Sequence, residues 1–283
     1  MGRLPVTPVS DIRCELGEGA FWHPERGEFF WFDITGRRLH ALARSWAFDD
    51  MVSAMGWVDR DRVVIASETR LILFDLGTGT GRTLCALEAE SAVTRSNDGR
   101  ADAQGGFWIG TMGKRAEKAA GSIWRWHRGE LRRLFADVSI PNAICFAPDG
   151  QSACFTDTPT RRVMRVALDA DGWPKGAPDC WLDLGADRLN PDGAVFDSAG
   201  NFWVAQWGAG RVAAYAPDGQ FLRAVEFPAP HTSCPAFGGT GLADLYCTSA
   251  REGRTRPTTR DGATFMALAI GQGQHEHRII LEA

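Results

Sequence analysis

Six copies of one short pattern recur along the chain, and they constrain the fold more than any other feature. Each copy is a turn rich in Asp, Gly and Pro followed by a short apolar and aromatic strand: HPERGEFFWFD, VDRDRVVIASE, DAQGGFWIGTM, APDGQSACFTD, DSAGNFWVAQW and GGTGLADLYCTS. The landmarks Phe29, Arg62, Phe107, Ser152, Phe202 and Asp244 are 33, 45, 45, 50 and 42 residues apart. That interval suits a four-stranded propeller blade, and repeats of this length read as radial or solenoid architectures. Before each turn lies another strand, such as GAFWH, AICFAPD or AVFDS, and after the marker strand come alternating segments such as RLHALA, LILFDL and VAAYAP. Outer segments follow in most copies: TLCALE, LRRLFAD, DCWLDL and FLRAVEF. Period-two alternation bounded by Gly, Pro and Asp marks half-buried strands, and no stretch sustains a helical period.

The predicted fold is therefore all-β: a six-bladed β-propeller with four antiparallel strands per blade, one domain over residues 1–283. Eleven tryptophans against two tyrosines fit small stacked sheets that need bulky filling between them. An open last blade would leave an unpaired edge. VTPVSDIRC near the start and HEHRIIL near the end compete to close it, and the sequence leaves both open.

Charge and composition narrow the function. A formal net charge of −4 excludes an ordinary nucleic-acid binder, and no segment has the length and apolarity of a membrane span. Seven cysteines are scattered, odd in number and without a C-x-x-C, which predicts reduced, mostly packed thiols and a cytoplasmic location. There is no dinucleotide fingerprint, no P-loop and no G-x-S-x-G nucleophile context. Partners are expected to be small molecules, with the chain a monomer or a small homo-oligomer.

In a propeller the first strand of each blade lines the central channel. Aligning the six copies puts Glu18, Ser53, Asn97, Asn142, Asp192 and Cys234 at equivalent positions. Singly, Asn or Asp beside Gly or Pro is more often a turn residue than a ligand. Convergence on one axis changes that, because a Glu and an Asp near it repel unless protonated or shared by a cation. With an Asn carbonyl they form an all-oxygen donor set suited to a hard divalent ion. Two long loops, GKRAEKAAG in blade three and AREGRTRPTTRDGA in blade six, are expected to flank the mouth of this channel, where specificity is usually built.

LGEGAFWHP, RSNDGRADAQGGFWIGTM, IPNAICFAPDG, LNPDGAVFDSAGNFWVAQWG and TSCPAFGG, in that order, resemble the gluconolactonase family of six-bladed propeller lactonases that includes regucalcin, or senescence marker protein. The resemblance runs nearly end to end. It implies metal-dependent hydrolysis of a sugar lactone to the open-chain aldonic acid. The implied cofactor is one divalent ion among Ca²⁺, Mg²⁺, Mn²⁺, Zn²⁺ and Fe²⁺. It further implies Glu18, Asn142 and Asp192 as metal ligands, Asp192 also as a catalytic group, and Arg95, Asn97 and the loop residue Glu117 as substrate contacts. The alternative it carries is a calcium-binding regulatory protein without turnover.

Overall fold

In the computed structural model, which describes residues 5–281, six four-stranded antiparallel sheets surround one axis. The six-bladed propeller expected from the repeats is the fold. The inner strands, in blade order, are Gly17–His23, Val52–Trp57, Thr94–Ala101, Pro141–Phe146, Asn190–Phe196 and Thr232–Gly238. The second strands match the repeated marker segments, from Glu28–Asp33 in blade one to Asp244–Ser249 in blade six. Residues 1–4 and 282–283, which the single-domain expectation included, lie outside the described residues.

Alternation along each strand gives every blade two apolar faces, and each face packs on its neighbour. One apolar cluster fills each junction: Phe30, Phe32 and Phe74 between blades one and two, for example, and Trp108, Phe146 and Phe155 between three and four. Tryptophan does double duty at two of these junctions. Trp108 and Trp203, each almost wholly buried, donate Nε1–H to Asp102 and Asp197, the aspartates six residues earlier. The same two carboxylates accept backbone N–H groups of the intervening turn, including Gly106 and Asn201. The recurring Asp-turn-Phe-Trp pattern thus ties a hairpin turn to the indole packed behind it.

The ring is closed by the beginning of the chain. Val6–Pro8 pairs antiparallel with Phe265–Ala267 as the outer strand of blade six. HEHRIIL takes no part in that edge. It crosses the end of the channel away from the candidate site: Glu276 O accepts from Trp57 Nε1, Gln274 Nε2 donates to Phe146 O, and Ile280 N donates to Gly105 O. Arg100, reaching down from the inner strand of blade three, forms an ion pair with Glu276 there. The tail thereby seals one mouth, and the other remains for a ligand.

Asp102 has a second task. It forms an ion pair with Arg125 at 2.6 Å, and both side chains are 0% exposed. Removing one partner strands the other charge without water. Asp102→Ala is expected to lower stability by about 3–5 kcal/mol, read from the urea midpoint. Glu130→Ala, which breaks a half-exposed pair with Arg132, is expected to leave the midpoint where it is.

Candidate metal centre and active site

All six inner strands are irregular at the same level. Pairing with the second strand slips between Glu18 and Phe21, Val52 and Ala54, Ser96 and Gly99, Asn142 and Cys145, Pro191 and Ala194, and Thr232 and Pro235. A β-bulge re-aims the side chains beside it. Repeated around the ring, it turns polar groups toward the axis. The local sequence fits the bend: Gly19 sits at φ 55°, and a Cβ there would collide with the carbonyl oxygen of Ser53 in the neighbouring blade. Gly193 meets Cys234 in the same way, with a virtual Cβ 2.8 Å from its Cα.

Glu18, Arg95, Asn97, Asn142 and Asp192 line one cavity of about 220 Å³. Two larger clefts, of about 350 and 290 Å³, open at blade junctions and are lined by none of these residues. The smaller cavity is the one where buried ionisable groups converge. All five side chains are buried, at 4–6% exposure. A directed chain of hydrogen bonds joins three blades. Arg95 Nη1 donates to Asn97 Oδ1 at 2.8 Å, Asn97 Nδ2 to Asn142 Oδ1 at 2.9 Å, and Asn142 Nδ2 to Thr158 Oγ1 at 3.0 Å. Thr158 Oγ1 then donates to the carbonyl of Pro191, beside Asp192, at 2.8 Å. A guanidinium only donates and a carbonyl only accepts, so the direction of the chain, and with it the orientation of both carboxamides, is fixed. Asn142 Oδ1 keeps one lone pair free.

The carboxylates are left under strain of charge. Glu18 accepts one bond, from Gly19 N, and Asp192 Oδ1 is buried with no hydrogen-bond partner. Burial, reinforced by the nearby Asp98, pushes the Glu18 carboxyl up to about 8. Burial and the charge of Glu18 raise Asp192 well above the usual carboxylate range. Asp98, itself buried and pushed up to about 6 by that burial, adds to the negative potential. Arg95 lies in the same cavity, and neither carboxylate is ion-paired among the described residues. Two carboxylates, one of them with an oxygen that lacks any hydrogen-bond partner, and a pre-oriented carboxamide oxygen fit a hard divalent cation. No group of three or more His, Cys, Asp or Glu is placed to hold a metal ion among the described residues; here the third donor is an amide.

Not every residue expected at the site faces it. Glu117 does not line the cavity: its carboxylate turns back to accept the N–H of Arg115 in its own loop, and Ala116 lines the cavity from that loop instead. Ser53 bonds sideways to Ser96, and Cys234 lies lower in the channel. Among the lining residues that the sequence did not single out, three carry polar or aromatic groups: Thr158, Trp207 and Glu252. Aligning the ends of the second strands, as was done for the first, would have brought out Thr158 and Trp207. Glu252 sits in a long loop without internal spacing, and no such alignment reaches it.

Residues 16–251 match the SMP-30/gluconolactonase/LRE-like region. The chain belongs to that family. It is similar in structure to a calcium-binding protein, regucalcin, from Agrobacterium tumefaciens, with 38% identity, a TM-score of 0.95, and 99% of this chain and 98% of that one covered. It is 32% identical to a 6-deoxy-6-sulfogluconolactonase of Pseudomonas putida, over 87% of each chain. It is also 32% identical to a pentonolactonase of Haloferax volcanii, over 97% of this chain and 98% of that protein.

For this member of the SMP-30/gluconolactonase family, the crowded charge predicts opposed effects of one substitution. Asp192→Asn removes a buried like charge, so the metal-stripped variant is expected to melt a few degrees higher than the metal-stripped parent, at roughly 2–4 °C per kcal/mol. Added Ca²⁺ or Mn²⁺ should raise the melting temperature of the parent and leave the variant unmoved. A lower melting temperature for the stripped variant would contradict the charge argument.

Proposed function

We propose that this protein hydrolyses a small sugar lactone to the open-chain aldonic acid, using one divalent cation held by Glu18, Asn142 and Asp192. The observation that carries the reading is the unbalanced acidic pair, Glu18 and Asp192, beside a pre-oriented Asn142 Oδ1 and a buried Arg95 in one small cavity. Family membership and lactonase-named relatives support it. A bound dication supplies Lewis acidity toward the ester group and its attacking water.

The chain's own groups supply the rest. Arg95 spends Nη1 on Ser96 O and Asn97 Oδ1. Its other donors are available to hold the lactone oxygen and the negative charge that develops when water adds to the carbonyl carbon. Asn97 keeps Arg95 and Asn142 in register and offers the second lone pair of its Oδ1 to substrate. The Asp192 carboxylate would also accept a proton of the attacking water. In the overall reaction the ring C–O bond breaks, the water oxygen stays on the carbonyl carbon, and the departing ring oxygen leaves as a hydroxyl. A cyclic ester needs less assistance than an amide, and these groups suffice.

A second reading, cation binding without turnover, is favoured by the calcium-binding name of the Agrobacterium relative. It uses the same ligands. The seven free thiols, five of them buried, support a cytoplasmic setting. Among the described residues no helix is long and apolar enough to cross a membrane.

Acid release from glucono-δ-lactone in a pH-stat, above the spontaneous rate, decides between the readings. It should vanish on chelation and return with an added divalent ion. Asp192→Ala is expected to lose metal and activity together, and Arg95→Ala to keep its metal while kcat/KM falls by about 10²–10³. Full turnover by metal-free Asp192→Ala would sink the assignment, and stoichiometric cation binding without hydrolysis of any aldonolactone would favour the regulatory reading.

A further inference from the structure

Three acidic side chains line the cavity, and the proposed cation set uses only Glu18 and Asp192. The third, Glu252, arrives on the long loop of blade six. Its backbone is pinned although the residue itself is exposed. Arg251 N and Glu252 N both donate to Glu15 O, at 3.0 and 2.9 Å. Its carbonyl accepts the Nδ1–H of His231 at 2.9 Å, and that imidazole stacks on Trp207 with ring centroids 4.2 Å apart and planes 19° apart. Trp207 is itself part of the cavity wall. Anchoring the loop at three backbone atoms fixes the point from which the Glu252 side chain starts, which lowers the cost of using it.

Glu252 also stands in a particular relation to Arg95. It is the first among the acidic groups that stabilise the buried guanidinium, yet the two make no direct ion pair among the described residues. The space between them is bounded by a group that only donates and a group that only accepts. A hydroxyl does both at once, and a methylene does neither. Glu117, the other loop carboxylate near the mouth, is engaged with its own backbone and leaves this role open.

We infer that Glu252 is a specificity-determining residue: it accepts a hydrogen bond from a ring hydroxyl whose oxygen is held by Arg95, while Trp207, with His231 stacked on it, walls the same side of the ring. This rests on the sugar-lactone reading and makes it narrower. The substrate must carry a hydroxyl on the side of the ring that faces blade six. A lactone without ring hydroxyls leaves the carboxylate and the guanidinium facing each other across an unfilled gap.

The test compares glucono-δ-lactone with unsubstituted δ-valerolactone as a ratio of kcat/KM values on the metal-loaded protein. In Glu252→Ala this ratio is expected to fall by about tenfold or more, the loss typical of a hydrogen bond to a charged group. Most of the change should sit in KM for the hydroxylated substrate. Glu252→Gln keeps an acceptor oxygen and should fall between parent and Ala variant. A ratio within about twofold of the parent in Glu252→Ala would overturn the inference. Calorimetric binding of 1,5-anhydroglucitol, a hydroxylated ring with no ester, reads Glu252 without catalysis, and its affinity should weaken by about tenfold or more in Glu252→Ala. Unchanged affinity would equally overturn it. A protein that hydrolyses no lactone yet binds the polyol through Glu252 would reject the catalytic reading and keep this one.

Discussion

Two carboxylates buried on one axis, with no ion-pair partner among the described residues, set the terms for the upper half of this molecule. Glu18 and Asp192 come from blades one and five, and nothing in their own sheets requires acidic side chains there. Burying one unpaired charge costs several kcal/mol, and the second is harder to bury than the first. A fold tolerates such a pair when the rest of the structure over-determines its geometry and the charge is met by a proton or by a cation from outside. The first condition is visible here: six bulges at one level prevent the strands from sliding, and the hydrogen-bond chain from Arg95 to Pro191 locks the neighbouring carboxamides.

The remainder of the propeller supplies that rigidity. Each blade buries both faces against its neighbours, so no sheet can rotate without opening two apolar junctions. The N-terminal strand completes the last sheet and removes the edge at which the ring would otherwise unzip. The C-terminal tail acts at the other end of the channel, where the Arg100–Glu276 pair, with both side chains 10% exposed, lies under the floor of the site. Arg100 and Asn97 belong to the same inner strand, Thr94–Ala101. One strand thus connects the sealed mouth to the open one, and bulge displacement between them is limited at both ends.

How much of this the sequence disclosed follows from the range of each signal. Period-two alternation and turn chemistry are local, and they were enough for six blades, four of the outer strands and the level of the channel. Glu18, Asn97, Asn142 and Asp192 were legible because equivalent repeats superpose, so position in the repeat stands in for position in space. Arg95 came with its motif. Whatever depends on the path of a chain between repeats was not legible. Glu117 and Glu252 both sit in long loops at the mouth, and only the backbone decides that one carboxylate folds back onto Arg115 while the other is anchored over the cavity. The two chain ends were equivalent candidates for closing blade six because both read as short strands. Contacts made by the tail with blades two, three and four, unrelated to strand pairing, separate them.

The ring therefore holds two classes of functional position with different freedom. Residues on the bulged inner strands sit where a shift in one blade is felt by both neighbours, as the clash of any Cβ on Gly19 with blade two makes plain. Side chains there are suited to a task that demands fixed distances, such as holding a cation. In the loops of blades three and six, positions 114–120 and 251–260 belong to no apolar cluster between blades, so side chains there can vary with less effect on the junctions. Recognition of one sugar over another is a task for these positions. The pinning of Glu252 through His231 and Glu15 gives a loop residue some of the rigidity of a strand residue. A carboxylate held that way selects by hydrogen-bond geometry rather than by charge, and a neutral polyol ring is the ligand whose groups match it.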